Sequence, residues 1–149
     1  MKVITSGLVN VDCSEGVVIM EPSNLYECSI GANSFVGPFC EIQSGVVIGS
    51  QTKVQSHTFI CSQVSIGDNC FVGHGVMFVN DTFSDGKPAR GDKNKWKSTS
   101  VENRVYIGSN ATILPVKIVS DVVIGAGSVV TKDILSPGKY AGNPAKRLK

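Results

Sequence analysis

The chain has 149 residues, of which 42% are hydrophobic and 17% charged, a composition that fits one soluble globular domain over residues 1–149. The formal net charge of +2, with no basic run on a helical pattern, argues against a nucleic-acid partner. The N-terminus carries no signal-like apolar run and no segment is long enough to span a bilayer, so we expect a cytoplasmic protein with no membrane partner.

An aliphatic or aromatic residue recurs at every sixth position from Ile30 to Phe78, and the same phase extends back to Asn24 and Val18. A fixed six-residue period is the signature of a parallel β-helix, in which each unit is a short strand and a turn with one side chain pointing inward. Three units close one coil, so residues eighteen apart stack in adjacent coils. The sequence therefore predicts an all-β solenoid with little helix.

The cysteines are odd in number and form no CxxC pair, which argues against a disulfide framework and a zinc site. Several of them occupy the small position between successive inward residues of the repeat. We therefore expect the cysteines to be small, buried side chains that pack in the core, and we expect no bound metal. The five are Cys13, Cys28, Cys40, Cys61 and Cys70.

The six-residue register breaks twice. An inserted loop at about 79–100 is polar, contains glycine and carries the only tryptophan, Trp96. Loops of this length in compact domains are usually functional or disordered, and an aromatic residue among charged ones suggests packing against something, such as a neighbouring subunit. Further on, Ile113 and Ile118 are five apart, which predicts either a tightened corner or a bulge at Val116. After Val130 the chain leaves the pattern as a short basic C-terminal tail.

Several segments resemble the left-handed β-helix (hexapeptide-repeat) acyltransferases, and the likeness covers nearly the whole chain: the Ile-Gly hexads and residues 107–115, 123–132 and 140–146. Residues 38–43, 55–61 and 73–81 are similar to the branch that acetylates nucleotide-linked sugars for surface polysaccharides. The resemblance implies left-handed coils and a homotrimer with active sites between subunits. It also implies acetyl-CoA as co-substrate along the C-terminal coils.

The resemblance further assigns the acetyl-CoA contacts. Backbone groups are expected to hold the pantetheine arm at Gly108, Ser109, Ala126 and Gly127. The phosphates are expected near Lys132, Lys146 and Arg147, whose point charges and forked donors suit phosphate oxygens.

Acetyl transfer needs a proton acceptor, donors for the oxyanion and a held geometry. The only histidines, His57 and His74, are seventeen apart, so the period places them on the same face of adjacent coils. We expect His57 to orient or deprotonate the acceptor, with His74 as the second candidate. Asn80 would bind the acceptor or the oxyanion, and Asp81 would orient a histidine or the sugar amine. Three further residues could reach sugar hydroxyls: Glu41, Gln43 and Gln55.

The expected function is therefore acetyl transfer from acetyl-CoA to an amino group of a nucleotide-linked sugar. Two alternatives stay open: O-acetylation of a sugar or of serine, and a non-catalytic β-helix binding module. A zinc carbonic anhydrase shares the fold, but it needs three histidines where this chain has two.

Overall fold

The structure, a computed structural model, describes residues 1–4 and 6–149, and its regular elements are strands apart from one 3₁₀ turn at Lys93–Lys95. Within those residues no helix is long and apolar enough to cross a membrane. In chain order the strands are β1 (Leu8–Val9), β2 (Asp12–Cys13), β3 (Val18–Ile19), β4 (Asn24–Tyr26), β5 (Ser29–Ile30), β6 (Phe35–Val36), β7 (Glu41–Ile42), β8 (Val47–Ile48), β9 (Lys53–Val54), β10 (Phe59–Ile60), β11 (Val64–Ile66), β12 (Phe71–Val72), β13 (Met77–Phe78), β14 (Thr99–Val101), β15 (Tyr106–Ile107), β16 (Thr112–Ile113), β17 (Lys117–Ile118), β18 (Val122–Ile124), β19 (Val129–Val130), β20 (Gly138–Ala141) and β21 (Lys146–Arg147).

Every third strand joins the same sheet, so three sheets form the sides of a triangular prism. Sheet A contains β1, β4, β7, β10, β13, β16 and β19. Sheet B contains β2, β5, β8, β11, β14 and β17, and sheet C contains β3, β6, β9, β12, β15, β18, β20 and β21. Pairing is parallel except between β20 and β21. The expected left-handed parallel β-helix is confirmed.

The inward positions of the period form the core. Ile42 pairs with Ile60 in sheet A, and Val54 pairs with Val72 in sheet C, each eighteen residues apart. All nine residues of the period from Ile30 to Phe78 are no more than 2% exposed. The columns of aliphatic side chains expected from the sequence are therefore confirmed.

The predicted phase is wrong by one residue at the N-terminal end. Leu25, which is fully buried, takes the inward position expected for Asn24, and Ile19 takes that of Val18. The reason is a shortened corner, because Leu25 and Ile30 are five residues apart. The side-chain oxygen of Asn24 instead accepts a hydrogen bond from Gly7 N at 3.4 Å.

The small residues between inward positions satisfy backbone groups of neighbouring coils. Ser34 Oγ donates to the Gly49 carbonyl at 2.8 Å and accepts from Thr52 N at 3.0 Å. Thr52 Oγ1 repeats the pattern one coil later, donating to the Gly67 carbonyl at 2.8 Å. Among the residues that the structure describes, no buried side-chain nitrogen or oxygen lacks a hydrogen-bond partner.

Departures from the six-residue period between residues 25 and 118 occur where sheet A turns into sheet B. The inserted loop fills this turn between β13 and β14, over residues 79–98. One coil later Val101 pairs with Ile118, 17 residues on, so the corner there is shortened. Val116 is buried and its carbonyl accepts from Ser100 N at 3.0 Å, which identifies a tightened corner without a bulge.

The C-terminal segment is more ordered than the expected tail. Strand β20 adds to sheet C beside β18, and β21 folds back antiparallel onto β20. Tyr140 packs against the core, and its hydroxyl donates to the Ser136 carbonyl at 2.9 Å. The segment therefore closes the end of sheet C and fixes the basic residues of β21.

Candidate functional site

Turns from sheet C into sheet A form one edge of the prism, which we name the histidine corner (residues 37–40, 55–58, 73–76, 108–111 and 125–128). Successive turns stack here through backbone bonds such as His57 N to the Pro38 carbonyl, 3.2 Å. Seven of the residues expected at the site occupy this edge: Gln55, His57, His74, Gly108, Ser109, Ala126 and Gly127.

Turns from sheet A into sheet B form the adjacent edge, which we name the loop corner (residues 27–28, 43–46, 61–63, 79–98, 114–116 and 131–133). It carries four of the remaining expected residues, and Glu41 lies on sheet A between the two edges. The expected catalytic set and the expected acetyl-CoA set are thus each divided between two corners of one chain. The four residues are Gln43, Asn80, Asp81 and Lys132.

Both histidines are exposed and lie in successive turns of the same edge. His74 Nδ1 is 2.9 Å from Ser56 Oγ, the hydroxyl of the residue directly before His57. This bond orients the imidazole through Nδ1 and leaves Nε2 for a substrate. If Nδ1 donates to the hydroxyl, Nε2 is the free basic nitrogen.

Phe39 orients the other histidine and was missed in the sequence. Its ring stacks on His57 with a centroid separation of 5.0 Å and an interplanar angle of 30°. His57 has a left-handed backbone conformation with a φ of 63°, and its side chain is exposed. Phe39 lies eighteen residues before His57, so the coil period was the signal that could have found it.

A cavity of about 520 Å³ opens at the N-terminal end of the histidine corner. Phe39 forms one wall, and Glu21 and Glu41 contribute carboxylates. An apolar ring with two acceptor groups can bind a small ligand that carries amine or hydroxyl donors.

The C-terminal end of the same corner, which we name the flat edge, carries mostly small side chains, since residues 108–111 are Gly-Ser-Asn-Ala and residues 125–128 are Gly-Ala-Gly-Ser. A Cβ at Gly108 would overlap the backbone nitrogen of Ala126 in the next coil, so only glycine allows the coils to stack there. Gly127 has a φ of +67°, which also favours glycine. Without long side chains, this edge has room for an extended chain such as a pantetheine arm.

The basic residues expected near the phosphates do not meet in one chain. Lys146 and Arg147 lie on β21 at the end of sheet C, where Arg147 Nη2 donates to the Pro137 carbonyl at 3.1 Å. Lys132 lies at the loop corner, on the other side of sheet A.

The inserted loop is organised by Asp81. Its carboxylate accepts from Ala89 N at 2.7 Å and from Phe83 N at 3.0 Å. These two bonds hold the pKa of Asp81 below its ordinary value. Asn80 Nδ2 donates to the Ser62 carbonyl at 3.1 Å and fixes the start of the loop to the preceding coil.

The expected sugar-binding residues are partly engaged within the chain. Gln43 Nε2 donates to Glu41 Oε1 at 2.9 Å, and Gln43 Oε1 accepts from Ser62 N at 3.3 Å. Gln55 is half-buried, and its backbone carbonyl accepts a hydrogen bond from Thr58 Oγ1 at 2.8 Å. Of the three, Glu41 borders the cavity beside Phe39.

Four of the five cysteines are buried, as expected, whereas Cys13 is exposed. Burial raises the pKa of the Cys61 thiol to about 11, so it is protonated near neutral pH and is a poor nucleophile. No cluster of three or more His, Cys, Asp or Glu residues that could hold a metal ion occurs in the described part of the chain.

A thiol-specific chromogenic reagent at pH 8 should therefore label one thiol per native chain, at Cys13. Unfolding in guanidinium should release the other four thiols for reaction. Cys13→Ser should abolish the native signal and leave the denatured count lower by one. Rapid labelling of two or more thiols in the native protein would contradict the burial of the remaining cysteines.

Two family models match the chain. The bacterial transferase hexapeptide model (six repeats) matches residues 27–62, and the hexapeptide repeat of succinyl-transferase matches residues 63–77 and 98–132. The gap between the two matched segments of the second model falls within the inserted loop and its flanking residues.

Two curated relatives and one crystal structure extend the comparison. The chain is 41% identical over 133 residues to the bifunctional protein GlmU of Limosilactobacillus reuteri, covering 88% of this chain and 27% of that protein. It is 46% identical over 52 residues to a chloramphenicol acetyltransferase of Morganella morganii, covering 34% and 25%. The chain thus spans about a quarter of the length of each of these relatives.

The crystal structure is that of the S84A mutant of AntD, an N-acyltransferase from Bacillus cereus, in complex with dTDP-4-amino-4,6-dideoxyglucose and coenzyme A. It superposes with a TM-score of 0.82 at 23% identity, over 94% of this chain and 83% of that one. At this identity the likeness concerns the fold.

Six-residue units stacked in three parallel sheets define a parallel β-helix protein. The chain belongs to the bacterial hexapeptide-repeat transferase family.

Proposed function

We propose that this chain transfers an acetyl group from acetyl-CoA to an amino group of a nucleotide-linked sugar, in the cytoplasm, for surface polysaccharide synthesis. The observation that carries the proposal is the order of features along the histidine corner. The cavity with Glu21 and Glu41 comes first, His57 and His74 follow, and the flat edge at Gly108 comes last. One end of a nucleotide-linked acceptor and an extended thioester could thus approach the histidines from opposite ends.

The chain would act as a homotrimer, in which the loop corner of one copy faces the histidine corner of the next. This arrangement would bring Asn80, Asp81 and Lys132 of one copy next to the histidines and β21 of the neighbouring copy. Within one chain these two groups lie on different edges of the prism. The two corners border sheet A, and the histidine corner also borders sheet C.

The outer faces of the sheets support such an assembly. Sheet C carries on its outer face a largely apolar column, in which Lys53 lies between Phe35 and Phe71 and is followed by Tyr106 and Val123. The outer face of sheet B is mostly polar, with Ser29, Ser65, Ser100 and Lys117. Burying sheet C against a second copy removes apolar surface from water, while sheet B stays solvated.

The chemistry would be a direct transfer. The acceptor nitrogen attacks the thioester carbonyl, a C–N bond forms, the C–S bond breaks, and coenzyme A leaves as a thiolate, which finally receives the proton that the nitrogen loses. His57 takes the proton that the nitrogen loses, and Asn80 of the neighbouring copy donates to the oxyanion or the acceptor. The high pKa of the Cys61 thiol favours this path over a covalent acyl-enzyme.

The comparisons support the acceptor class. The AntD structure holds an amino sugar linked to dTDP together with coenzyme A on the same fold. A chloramphenicol acetyltransferase is among the relatives in sequence.

The test is thiol release from acetyl-CoA against nucleotide-linked amino sugars, their hydroxyl counterparts, free amino sugars and serine, with products identified by mass spectrometry. Amide formation with a nucleotide-linked amino sugar is the expected result. Turnover with hydroxyl acceptors alone would replace the proposal with O-acetylation. Absence of both turnover and acetyl-CoA binding would instead indicate a binding module. Light scattering on the same sample gives the subunit number, for which three is expected.

A further inference from the structure

A second cavity, of about 360 Å³, lies between the inserted loop and the prism at the loop corner. The loop supplies Trp96 and Lys93 to its wall, and the prism supplies Ser44, Gln63 and Glu27. Trp96 is half-buried and is the only tryptophan of the chain. Within its own chain, Trp96 borders this cavity.

The loop forms a fixed wall for this cavity. Gln63 Nε2 donates to the Lys93 carbonyl at 3.4 Å, which ties the 3₁₀ turn to the prism. At the base of the loop, Lys97 N donates to the Asn80 carbonyl at 2.9 Å. Trp96 lies directly between these two attachments, so its indole is held at the cavity.

The cavity is also connected to the proposed reaction centre. Ser62 lines the cavity, and its carbonyl accepts from Asn80 Nδ2 at 3.1 Å. A ligand in the cavity would therefore lie beside Asn80, the residue proposed to face the acceptor.

We infer that this cavity binds a pyranose ring, the sugar of the acceptor, against the indole of Trp96. A broad indole face suits the C–H face of a sugar ring, while amide, hydroxyl and carboxylate groups suit its hydroxyls. Gln63, Ser44 and Glu27 supply those groups, and the volume fits a small-molecule site. The inference rests on the proposed function only in making the bound sugar the acceptor, because sugar binding itself requires no turnover.

Because Trp96 is the sole tryptophan, its fluorescence reports directly on this cavity. Titration with glucosamine, N-acetylglucosamine and UDP-N-acetylglucosamine should quench or shift the emission with saturation. UDP alone and acetyl-CoA alone should leave it unchanged. A response to UDP alone with none to the sugars would overturn the inference, as would no response to any of the probes. If sugars change the emission but no acceptor is acetylated, the proposed function fails while the binding site remains.

Variants separate a binding role from a structural one. Trp96→Ala should raise KM for the acceptor about five- to tenfold with kcat little changed, the size expected for a lost aromatic contact. Trp96→Phe should keep much of the affinity because a flat ring remains. Phe83→Ala, an exposed aromatic of the same loop outside the cavity, should match the wild type. A Trp96→Ala protein that loses its subunit association would instead assign Trp96 to an interface and overturn the proposal.

Discussion

Replacing His57 with alanine should lower kcat for acetyl transfer by about 10²- to 10⁴-fold, the usual range for loss of a positioned general base. The reason is placement, since the exposed imidazole lies between the cavity beside Phe39 and the flat edge expected to hold the thioester. KM for acetyl-CoA should change little, because no contact along Gly108 and Gly127 is removed. Steady-state thiol release at saturating acceptor measures the effect.

His74→Ala is the matched control for this variant. It removes an imidazole one coil away, tied through Nδ1 to Ser56, and should cost less activity. A larger loss in His74→Ala than in His57→Ala would transfer the role of base to His74. If neither variant loses more than about threefold, the histidines only position an acceptor amine that arrives neutral.

Phe78→Ala should lower the free energy of unfolding by about 3–5 kcal/mol. Phe78 is the largest fully buried side chain of the core, and stacked coils cannot collapse readily around the space it leaves. Urea denaturation of both proteins at the same chain concentration measures the difference, since an oligomer's stability depends on concentration.

Phe83→Ala provides the stability control, because that ring is 56% exposed on the inserted loop. Its free energy of unfolding should stay within about 0.5 kcal/mol of the wild type. Equal losses in the two variants would mean that the column of inward side chains does not carry the stability of the prism.

The period alone predicted most of this fold, for a physical reason. In a β-helix the strand residue at every sixth position points into the core, so Ile42, Ile60 and Phe78 could be assigned to one column from spacing. The one-residue error in the predicted phase at Leu25 shows what a six-residue period cannot predict. A corner can lose one residue without disturbing the strands on either side, and spacing does not show where this happens until an apolar residue such as Leu25 appears out of phase.

The site was less predictable than the fold. The stacking of Phe39 on His57 follows from the eighteen-residue coil, but two aromatic residues so far apart in sequence give no local signal. The position of Asn80 relative to the histidines was harder to predict. The period that brings the two histidines together at the histidine corner places the inserted loop at the loop corner. Whether those edges meet depends on surfaces of a second copy, which one chain's pattern does not encode.

The confinement of the insertion and of the shortened turns near residues 25 and 113 to the loop corner has a consequence for engineering. The histidine corner keeps a constant rise from coil to coil, so the reacting groups hold their spacing whatever happens on the neighbouring edge. Loops of other lengths and chemistries could be grafted at residues 79–98 without shifting His57 against Gly108. The prism is thus a rigid scaffold with constant spacing along the histidine corner, and loops of different length can be attached along the neighbouring edge.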